Sequence, residues 1–571
     1  MINNKKSVVR LLENIAIYME LKGENSFKVS AFRKAAAALE KDERGLNEIK
    51  DFTSIPGIGK ATSSVIEEFI ETGTSSVLEQ LQQEVPKGLI PLLQIPGLGG
   101  KKISKLYQEL GITNAEELKA ACEKGEVQNL PGFGKKTEEK ILAAIKQVGD
   151  RPERLPIWHM LELCEHIEKN LANIDGILQF ARAGSIRRLR EMVKDLDFII
   201  AAADPQKVAD ALIHLPGIKE VTAAGKTKVS VVLEDSYGVS VDFRIVEPEQ
   251  FATALHHFTG SKDHNVRMRQ LAKQRGERIS EYGIENKETG EIVTFSTEED
   301  FYRHFGLPWI PPEIREDGTE VDHYRESLDL VRMEDLKGDM HMHTTWSDGA
   351  YSLEEMVEAC RKKGYQYMAI TDHSQYLKVA NGLTPDRLKR QIEEIKKLNE
   401  KYSDIEIFSG IEMDILPDGT LDFDDELLSQ LDFVIASIHS HFSQSRSTIM
   451  KRLRTALENP YVRLIAHPTG RLIGRRQGYD VDIDLLIEWA KETNTALELN
   501  ANPHRLDLSA DHLRKAQEAG VKFFINTDAH AVDQLRFMEI GVKAARKGWI
   551  KRENILNTLD AKQMKRFLQI P

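Results

Sequence analysis

The chain has 571 residues, of which 29% are charged, and a formal net charge of −12. This length exceeds what one hydrophobic core can hold, so we expect three or four domains. The acidic balance argues against a protein that coats nucleic acid nonspecifically, since any phosphate contacts must come from local patches or backbone amides. No apolar run reaches membrane-spanning length and no signal peptide is evident, so the expected location is cytoplasmic.

The cysteine pattern also excludes some classes of site. Cys122, Cys164 and Cys360 lie far apart and are odd in number. This spacing indicates neither a disulfide framework nor a zinc-cysteine site. The three residues are expected to be core thiols.

The N-terminal region repeats one pattern three times. IPGIGKATSSVIEEFI begins at Ile55, IPGLGGKKISKLYQEL at Ile95, and LPGFGKKTEEKILAAI at Leu130. Each copy has Pro-Gly between apolar residues, a second glycine, and then an amphipathic helix. The glycines permit a tight turn and leave backbone N–H groups uncovered at a helix N-terminus, where an anion is favoured. Such a loop can bind phosphate without reading bases.

This repeat resembles the helix-hairpin-helix motif of DNA repair and replication proteins. A single copy could be a turn between helices without a ligand, but three copies beside lysines favour a binder of the DNA backbone. Lys136 also lies beside the third hairpin. The expected DNA-binding residues are Gly57, Gly59, Lys60, Gly97, Gly99, Lys101, Lys102, Gly132, Gly134 and Lys135.

Acidic residues mark two strand-like runs in the middle of the chain. Asp195 and Asp197 lie two apart before an apolar run, and Asp242 lies in SVDFRIV. Residues two apart on a strand face the same side, and carboxylates placed in this way repel each other unless a cation or solvent meets them. Three converging carboxylates could hold two Mg²⁺ ions for nucleotidyl transfer. An exposed β-hairpin with scattered aspartates is the alternative.

The stretch GSIRR precedes these acids. Gly184 and Ser185 would allow a close backbone approach to a nucleotide, while Arg187 and Arg188 would donate hydrogen bonds to its phosphates. The order GSIRR, DLD, VDFRIV, HFTGSKDHNVRMRQLA and GLPWIPPEIRE resembles a family X DNA polymerase, and the resemblance covers residues 1 to about 318.

The resemblance implies roles for individual residues. Asp195, Asp197 and Asp242 would bind the metal ions, and Asp242 would help to deprotonate the primer 3′-hydroxyl. Ser185 and Arg188 would hold the triphosphate, Phe258 and Gly260 would lie against the sugar, Asn265 near the base, and Arg269 near the template. The complete implied nucleotide-binding set is Gly184, Ser185, Arg188, Phe258, Gly260, Asn265 and Arg269.

Two positions depart from the family pattern. His257-Phe258 stands where Tyr-Phe is common, which leaves discrimination against ribonucleotides open. Val65 stands where several relatives have a lysine that forms a Schiff base with a 5′-deoxyribose phosphate. Valine has no amine, so we predict that this lyase chemistry is absent from that position.

Further along, short apolar runs alternate with helix-like segments. The runs are the strand before His341 and then YMAITDH, IEIFSGIEMD, LDFVIASIHSH, VRLIAHPTG, TALELNANPH and KFFINTDAH. Seven strands in this order predict a (β/α)7 barrel with its site at the strands' C-terminal ends. Imidazoles and carboxylates that could hold two or three Mn²⁺ or Zn²⁺ ions lie at His341, His343, Asp348, His373, Glu412, His439, His467, Asp528 and His530.

Residues 336–571 resemble the polymerase and histidinol phosphatase (PHP) domain. The implied ligand groups are His341, His343, Glu412 and Asp528; Glu412, His439 and His467; and Asp348, His373 and His530. Clustered cations can activate water for phosphoester hydrolysis. Arg471, after HPTG, could hold a substrate phosphate or could be an exposed, solvated arginine.

The expected fold is multidomain α/β, with a helical helix-hairpin-helix N-terminal region, a nucleotidyltransferase-type α+β palm and a C-terminal (β/α)7 PHP barrel. The expected divisions are a helical DNA-binding domain at 1–90, a helix-hairpin-helix subdomain at 91–150, a palm at 151–248, a nucleotide-selecting subdomain at 249–318, a linker at 319–335 and the PHP domain at 336–571.

These features together predict a DNA-directed DNA polymerase that fills short gaps in base excision repair, with a 3′–5′ exonuclease in the PHP domain. That domain could also process abasic or damaged ends. Mg²⁺ is expected at the polymerase site and Mn²⁺, or else Zn²⁺ or Fe²⁺, at the PHP site. The expected partners are gapped or primer-template DNA and deoxynucleoside triphosphates, and the expected state is a monomer. The alternatives are a small-molecule phosphatase and a non-catalytic DNA-end-binding scaffold.

Overall fold

The computed structural model describes residues 5–42, 44, 46, 49–95, 98–149 and 152–568. The chain divides into two units. The first unit contains residues 1–153 with the segments 344–353 and 377–383, and the second contains residues 154–343, 354–376 and 384–571. Each unit is described separately below.

The first unit is helical. Its helices commonly begin where a side chain caps the backbone and end at glycine: Asn25 accepts a hydrogen bond from Phe27 N, and Gly73 ends a helix at a φ of 76°. The helices are α1 (Lys5–Lys22), α2 (Ser26–Lys41), α3 (Lys60–Thr72), α4 (Ser76–Glu84), α5 (Gly100–Leu110), α6 (Ala115–Glu123) and α7 (Lys135–Gly149).

Two hydrophobic cores support these helices. One core packs α1, α2 and α3 together and includes Val65, which is 5% exposed. The other packs α5, α6 and α7 around residues such as Ile103 and Leu118. The position at which several relatives have a reactive lysine is therefore a packed apolar side chain in this chain.

The second unit begins with a mixed five-stranded sheet, the palm. Strand order is β2-β4-β7-β6-β5; β4 and β7 run parallel, and the other neighbours are antiparallel. A short antiparallel pair, β1 with β3, lies outside this sheet. The strands are β1 (Leu155–Pro156), β2 (Ile177–Arg182), β3 (Met192–Val193), β4 (Leu196–Ala202), β5 (Ile218–Gly225), β6 (Lys228–Leu233) and β7 (Ser240–Val246).

Helices cover the palm and lead into the next region. They are α8 (Ile157–Leu171), α9 (Gly184–Arg187), α10 (Pro205–Leu212) and α11 (Phe251–Thr259). After α12 (Lys262–Gln274) comes an antiparallel three-stranded sheet of β8 (Glu277–Ser280), β9 (Gly283–Asn286) and β10 (Ile292–Val293), followed by α13 (Glu298–His304).

Residues 319–335, expected to be a linker, carry α14 (Thr319–His323) and short 3₁₀ turns. Val321, Tyr324 and Leu330 are buried with the core of the preceding three-stranded region. The segment is therefore folded onto its neighbour and includes apolar anchors among its polar residues.

The remainder of the second unit is built on seven parallel strands in sequential order. A parallel bridge between Met342 and Ala529 joins the two ends of this sheet, so the strands form a nearly closed barrel. The strands are β11 (Gly338–Asp339), β12 (Tyr367–Ile370), β13 (Glu406–Asp414), β14 (Phe433–Ser437), β15 (Val462–Ile465), β16 (Ala496–Asn500) and β17 (Phe523–Asn526).

Helices follow the barrel strands in alternation, as expected for parallel strands that need crossover connections. They are α15 (Leu353–Lys362), α16 (Pro385–Lys401), α17 (Asp425–Leu428), α18 (Arg446–Glu458), α19 (Ile483–Thr493), α20 (Ala510–Ala519), α21 (Phe537–Lys547) and α22 (Ala561–Leu568). Met564 and Leu568 of α22 pack with inward-facing strand residues such as Phe433.

The predicted architecture of a helical N-terminal region, an α+β palm and a (β/α)7 barrel is confirmed. The expectation for the cysteines also holds, since Cys122, Cys164 and Cys360 are all free and buried. Among the described residues, no helix has both the length and the apolar character needed to span a membrane.

Candidate active sites

The three hairpins share one local geometry. In each, the apolar residue after Pro-Gly donates its backbone N–H to the apolar residue three positions earlier, at 3.0 Å. The pairs are Ile58 to Ile55, Leu98 to Ile95, and Phe133 to Leu130. The second glycine of each copy directly precedes α3, α5 or α7. The repeated sequence therefore produces a repeated turn at a helix N-terminus.

The hairpin glycines that the structure describes lie open at the surface. Space for a Cβ atom is free at Gly59, Gly99, Gly132 and Gly134, with no atom within 4 Å of such a Cβ. Gly57 has a φ of 111° and is exposed. The predicted lysines Lys60, Lys101 and Lys135 are exposed, Lys102 lies 5.6 Å above the Phe133 ring, and Gly97 lies outside the described residues.

The palm site, defined here as Asp195, Asp197 and Asp242, lies at the start of two adjacent strands. Asp197 of β4 and Asp242 of β7 are direct partners in the parallel pairing. Asp195 immediately precedes β4 and is exposed. Gly184 adopts a φ of 62°, and a Cβ atom there would lie 2.3 Å from Asp197 Oδ2. Only glycine therefore lets this turn approach the carboxylate.

The three carboxylates differ in charge environment. Burial, together with repulsion from Asp195 and Asp242, raises the pKa of Asp197 to about 6. Burial also opposes ionisation of Asp242, but Lys228 Nζ at 2.8 Å and Ser230 Oγ at 2.6 Å donate to it and lower its pKa. Asp197 therefore binds a proton more tightly than Asp242 does.

The two arginines of GSIRR point to different partners. Arg187, expected to donate to nucleotide phosphates, instead pairs with Glu298 at 2.6 Å and donates to Thr259 Oγ1 at 2.7 Å. Arg188 donates to Thr259 O, and its Nη1 would lie 3.2 Å from a Cβ on Gly260. Arg187 is therefore committed to holding the palm against α13, whereas Arg188 lies against the Gly260 turn.

The other predicted nucleotide-binding residues lie on α9, on α11, at the Gly260 turn and on α12. Ser185 lies in α9. Phe258 lies 4.7 Å below the Arg244 guanidinium, and Asn265 Nδ2 donates to His257 O at 2.7 Å. Asn265 Oδ1 is buried and has no partner within the described residues. Arg269 is exposed on α12.

The barrel site gathers eight side chains at one end of the barrel, all within the second unit. We define it as His341, His343, His373, Glu412, His439, His467, Asp528 and His530. Its members follow or end six of the seven strands, which is where parallel strands of a barrel converge. His341 and His343 reach one centre, with their Nε2 atoms 3.3 Å apart, as the His-x-His spacing predicted.

Glu412 lies at the middle of the barrel site. Its Oε2 atom is 3.0 Å from His373 Nδ1, 3.3 Å from His341 Nε2 and 3.4 Å from His343 Nε2. Its Oε1 atom is 2.8 Å from His467 Nε2 and 3.2 Å from His439 Nε2. One buried carboxylate is therefore surrounded by nitrogens of five imidazoles.

Within the second unit, two groups of residues each have potential ligand atoms that all lie within 4.8 Å of one another. They are His341, His343, Glu412 and Asp528; and His373, Glu412 and His439. The second group contains His373 where the resemblance implied His467. His467 instead contacts Glu412 directly, so it adjoins the same group.

Two further carboxylates orient histidines of the barrel site and were missed from the sequence. Glu498 of β16 lies 2.7 Å from His341 Nδ1, and Asp414 lies 3.3 Å from His439 Nδ1. Each contact leaves Nε2 to face Glu412, which is the usual arrangement behind a metal-binding histidine. The sequence signal that could have identified Glu498 is its position as the single acid within the run ALELN.

The donor set fits divalent cations. Burial would raise the pKa of Glu412, but the adjacent histidines, foremost His439, hold it well below its usual range. Glu412 Oε2 is buried and accepts no hydrogen bond from the described residues. A fully ionised carboxylate facing several imidazole nitrogens is a donor set that Mn²⁺, Zn²⁺ and Fe²⁺ accept.

Arg471 is not the exposed, solvated arginine that one interpretation expected. Its guanidinium pairs with Glu191 at 2.7 Å and donates to Arg505 O at 3.0 Å, and the side chain is 18% exposed. It is thus a partly buried contact between the palm and the barrel.

Four family models match the chain. The model described as helix-hairpin-helix domain matches residues 3–75, and the SAM-like helix-hairpin-helix tandem matches 89–147. The DNA polymerase beta thumb model matches 254–316, and the PHP domain model matches 339–502. These matches cover the hairpins, the region around the Gly260 turn and most of the barrel.

Comparison with curated proteins extends this result. A probable phosphatase of Thermoanaerobacter sp. (strain X514) is 31% identical over 242 residues, 40% of this chain and 94% of that protein. The DNA polymerase/3′-5′ exonuclease PolX of Bacillus subtilis (strain 168) is 62% identical over 566 residues, 99% of each chain. The chain therefore belongs to the family X DNA polymerases that carry a PHP domain.

Proposed function

We propose that this protein is a DNA polymerase that fills short gaps during base excision repair and that its barrel is a Mn²⁺-dependent 3′–5′ exonuclease. The observation that carries the proposal is the likeness over 99% of the chain to a protein named DNA polymerase/3′-5′ exonuclease. The palm site and the barrel site of this chain supply acidic residues suited to each of the two reactions.

The hairpins bind the DNA backbone in this proposal. Their exposed glycines leave room for a phosphate close to the main chain, and the first N–H groups of α3, α5 and α7 face it. Exposed lysines beside the turns add positive charge. Because these contacts are made to phosphates, binding is independent of base sequence and weakens as salt rises.

Asp195, Asp197 and Asp242 carry the polymerase chemistry. Mg²⁺ bound by these carboxylates would offset charge on the triphosphate and favour loss of the primer 3′-hydroxyl proton. Asp242 keeps its charge near neutral pH because Lys228 and Ser230 donate to it. It can therefore interact with the proton of the primer 3′-hydroxyl as that proton leaves. The primer oxygen then bonds to the α-phosphorus, and pyrophosphate leaves.

The incoming deoxynucleoside triphosphate lies between α9 and the Gly260 turn. Ser185 and Arg188 bind its phosphates, and Phe258 with Gly260 lies against its sugar. Asn265 has a buried amide oxygen with no partner in the described residues, so it can accept a hydrogen bond from the base side. Arg269, exposed on α12, contacts the template strand.

The barrel site hydrolyses the terminal phosphodiester of a DNA 3′ end. Bound Mn²⁺, with Zn²⁺ or Fe²⁺ as alternatives, would lower the pKa of a water and offset charge on the phosphate. Glu498 and Asp414 hold the rings of His341 and His439 so that Nε2 of each faces Glu412. Water adds to phosphorus, the bond to the 3′-oxygen breaks, and a 5′-nucleotide leaves.

Two activities in one chain suit the repair of strand ends. Removal of a mismatched or damaged 3′ nucleotide, or of an abasic end, would leave a 3′-hydroxyl that the palm can extend. We propose that the protein acts as a monomer on gapped or primer-template DNA. Val65, packed in the first core, provides no amine, so we propose that removal of a 5′-deoxyribose phosphate does not occur at that position.

A second candidate activity has an observation in its favour. Relatives of the barrel alone, including one from Syntrophotalea carbinolica at 28% identity over 229 residues, are named probable phosphatases. The barrel of this chain could then act on a small phosphate monoester. Comparing the rates on a single-stranded oligonucleotide and on p-nitrophenyl phosphate distinguishes these substrates.

A labelled gapped duplex tests the proposal. The assay would use Mg²⁺ or Mn²⁺, with and without nucleotides, on wild type, Asp195→Ala/Asp197→Ala and His341→Ala/His343→Ala. We expect extension to be lost only in the aspartate variant and primer shortening to be lost only in the histidine variant. Shortening that survives the histidine substitutions would contradict the exonuclease assignment, and extension that survives the aspartate substitutions would contradict the polymerase assignment.

A further inference from the structure

Arg505 is an arginine beside the barrel site to which no role has yet been given. It lies on the loop after β16, and its Nε atom is 3.5 Å from Asp528 Oδ2. The other carboxylate oxygen, Asp528 Oδ1, faces His343 Nε2 at 3.2 Å. Asp528 therefore turns one oxygen to the histidines and the other toward Arg505.

The Arg505 guanidinium has donors to spare. Its side chain is 18% exposed, and the ion pair with Asp528 is its one polar side-chain contact in the described part of the chain. A guanidinium carries five N–H donors in a planar fork, and one contact at 3.5 Å leaves most of these donors available. The unused N–H groups can therefore donate hydrogen bonds to a further anionic ligand at the edge of the barrel site.

Other positive charges lie close to Arg505. The charge of Arg505 contributes, after burial, to lowering the pKa of Arg476. His504 is affected in the same way, after burial and Arg475. Positive charge thus accumulates on this side of the barrel site, which raises its affinity for a phosphate group.

The backbone of the Arg505 loop is fixed in place. Arg505 N and Leu506 N both donate to Asn502 O, at 2.8 Å and 3.0 Å, which closes the loop. Arg471 Nε donates to Arg505 O at 3.0 Å, and Arg471 Nη2 donates to Leu506 O. The Arg471 guanidinium thus fixes two carbonyl groups of the loop that carries the Arg505 side chain.

Arg471 is in turn held from the palm. Its Nη1 and Nη2 atoms donate to Glu191 at 3.2 Å and 2.7 Å. Glu191 precedes β3, and its carbonyl accepts a hydrogen bond from Ile157 N at 2.9 Å. A chain of contacts therefore runs from the palm through Glu191 and Arg471 to the loop that carries Arg505.

We propose that Arg505 binds a non-bridging oxygen of the phosphodiester that the barrel site cleaves, and that Arg471 with Glu191 positions it. The inference rests on the proposed exonuclease. A planar guanidinium can donate two parallel hydrogen bonds to one phosphate, which a lysine ammonium cannot reproduce. Arg505 is the substrate-binding residue, and Glu191 is a positioning residue that belongs to the polymerase half.

The test uses the full chain loaded with Mn²⁺ and a labelled single-stranded oligonucleotide. Arg505→Gln should lower kcat/KM for shortening by about 100-fold, mainly through KM, and Arg505→Lys should lower it less. Loss of one phosphate contact should reduce the slope of log Kd against log salt by about 0.7, measured by anisotropy with a 3′-phosphorothioate strand. Arg514→Gln, an exposed arginine on α20, is the matched control and should match wild type.

Three results would overturn the inference. An unchanged KM and salt slope in Arg505→Gln would show that Arg505 does not contact the phosphate. Loss of bound Mn²⁺ in that variant, measured by mass spectrometry of the metal, would show that Arg505 positions Asp528 and does not bind the substrate. A wild type that leaves the oligonucleotide intact would overturn the proposed exonuclease and this inference together, whereas the first two results leave the exonuclease standing.

Glu191→Gln tests the positioning step without changing the barrel. It should lower kcat/KM for shortening severalfold while bound Mn²⁺ stays constant, because Arg505 remains present but less well fixed. Arg505→Lys in the same background should add little further loss if both act on one contact. Full exonuclease activity in Glu191→Gln would contradict the role given to the palm.

Discussion

The palm site and the barrel site both depend on acidic residues, but they are built differently. In the barrel, Glu412 and His341 are fully buried, and Glu498 of β16 lies against His341 Nδ1. In the palm, Asp195 is exposed, and Lys228 occupies one oxygen of Asp242. The barrel site is therefore complete within the protein, whereas the palm site depends more on ions and substrate to arrange its charges.

This difference follows from where each site lies. Seven parallel strands direct side chains from the whole circumference of the barrel to one end, so distant residues meet in a buried space. The palm places its acids at the start of two neighbouring strands, open on one side to solvent. We propose that the open edge receives duplex DNA and that the barrel end receives a single strand end.

The largest effect is expected from Glu412→Gln. Replacing the central carboxylate with an amide removes the charge that five imidazole nitrogens face, so we expect primer shortening to fall by more than about 100-fold, beyond the loss typical of outer partners. Bound Mn²⁺, measured by metal analysis, should fall with it, while extension remains. Glu406→Gln, at the other end of the same strand, is the control. Normal shortening in Glu412→Gln would contradict the account of the barrel site.

Glu298→Gln tests a buried ion pair beside the palm. Glu298 is 5% exposed and pairs with Arg187 and Arg315, so removing its charge should lower the free energy of unfolding by about 3–5 kcal/mol. Urea unfolding followed by tryptophan fluorescence measures this, with the exposed Glu299→Gln as control. Equal stability of the two variants would show that Arg187 is free for another partner.

Glu298 also determines how the stability of the protein changes with pH. Burial opposes ionisation of Glu298, but Arg315 and Arg187 hold its pKa well below 4.5. A carboxylate with a lowered folded pKa stabilises the protein above its unfolded pKa, and that contribution is lost as the pH falls below about 4.5. The stability difference between wild type and Glu298→Gln should therefore shrink on acidification, and a difference that grows would contradict this assignment.

Glu498→Gln should have an intermediate effect. The amide keeps the size of the side chain but weakens the hold on His341 Nδ1, so Mn²⁺ affinity should fall by about 10- to 100-fold. Titration of the metal-free protein with Mn²⁺ measures the change, and shortening at saturating Mn²⁺ should recover in part. Unaltered affinity would mean that the His341 ring is fixed by packing alone.

Lys228→Met should produce the smallest effect, in the opposite direction. Removing an ammonium 2.8 Å from Asp242 eliminates a competitor for that carboxylate, so Mg²⁺ should bind the palm site about fivefold more tightly in the presence of nucleotide and primer-template. The control is Lys226→Met in the adjoining turn, which is exposed. Weaker Mg²⁺ binding in Lys228→Met would show that the lysine supports the site.

Much of the fold could be predicted because its signals are local or periodic. The Pro-Gly hairpins at Ile55, Ile95 and Leu130 each specify a turn within four residues, and the structure repeats that turn. The barrel was predictable because its apolar runs alternate with helices, and because His-x-His places two imidazoles on one side of an extended chain. Neither inference requires knowledge of distant contacts.

Side-chain direction was less accessible from the sequence. Arg187 and Arg188 are neighbours of one type, yet Arg187 meets Glu298, which is 111 residues away. Arg471 is fixed by Glu191, 280 residues earlier in the chain. Glu498 was missed because an acid within a strand acquires its partner, His341, only when the barrel closes. Such contacts depend on the tertiary structure and have no local signature.

The central claim is that the barrel site binds metal ions without DNA, while the palm site needs nucleotide and DNA. Anomalous diffraction at the manganese edge, from crystals of the DNA-free protein soaked in Mn²⁺, tests it directly. We predict strong peaks around Glu412 and none between Asp197 and Asp242 until nucleotide and primer-template are added. Peaks confined to the palm, with none near Glu412, would contradict the account.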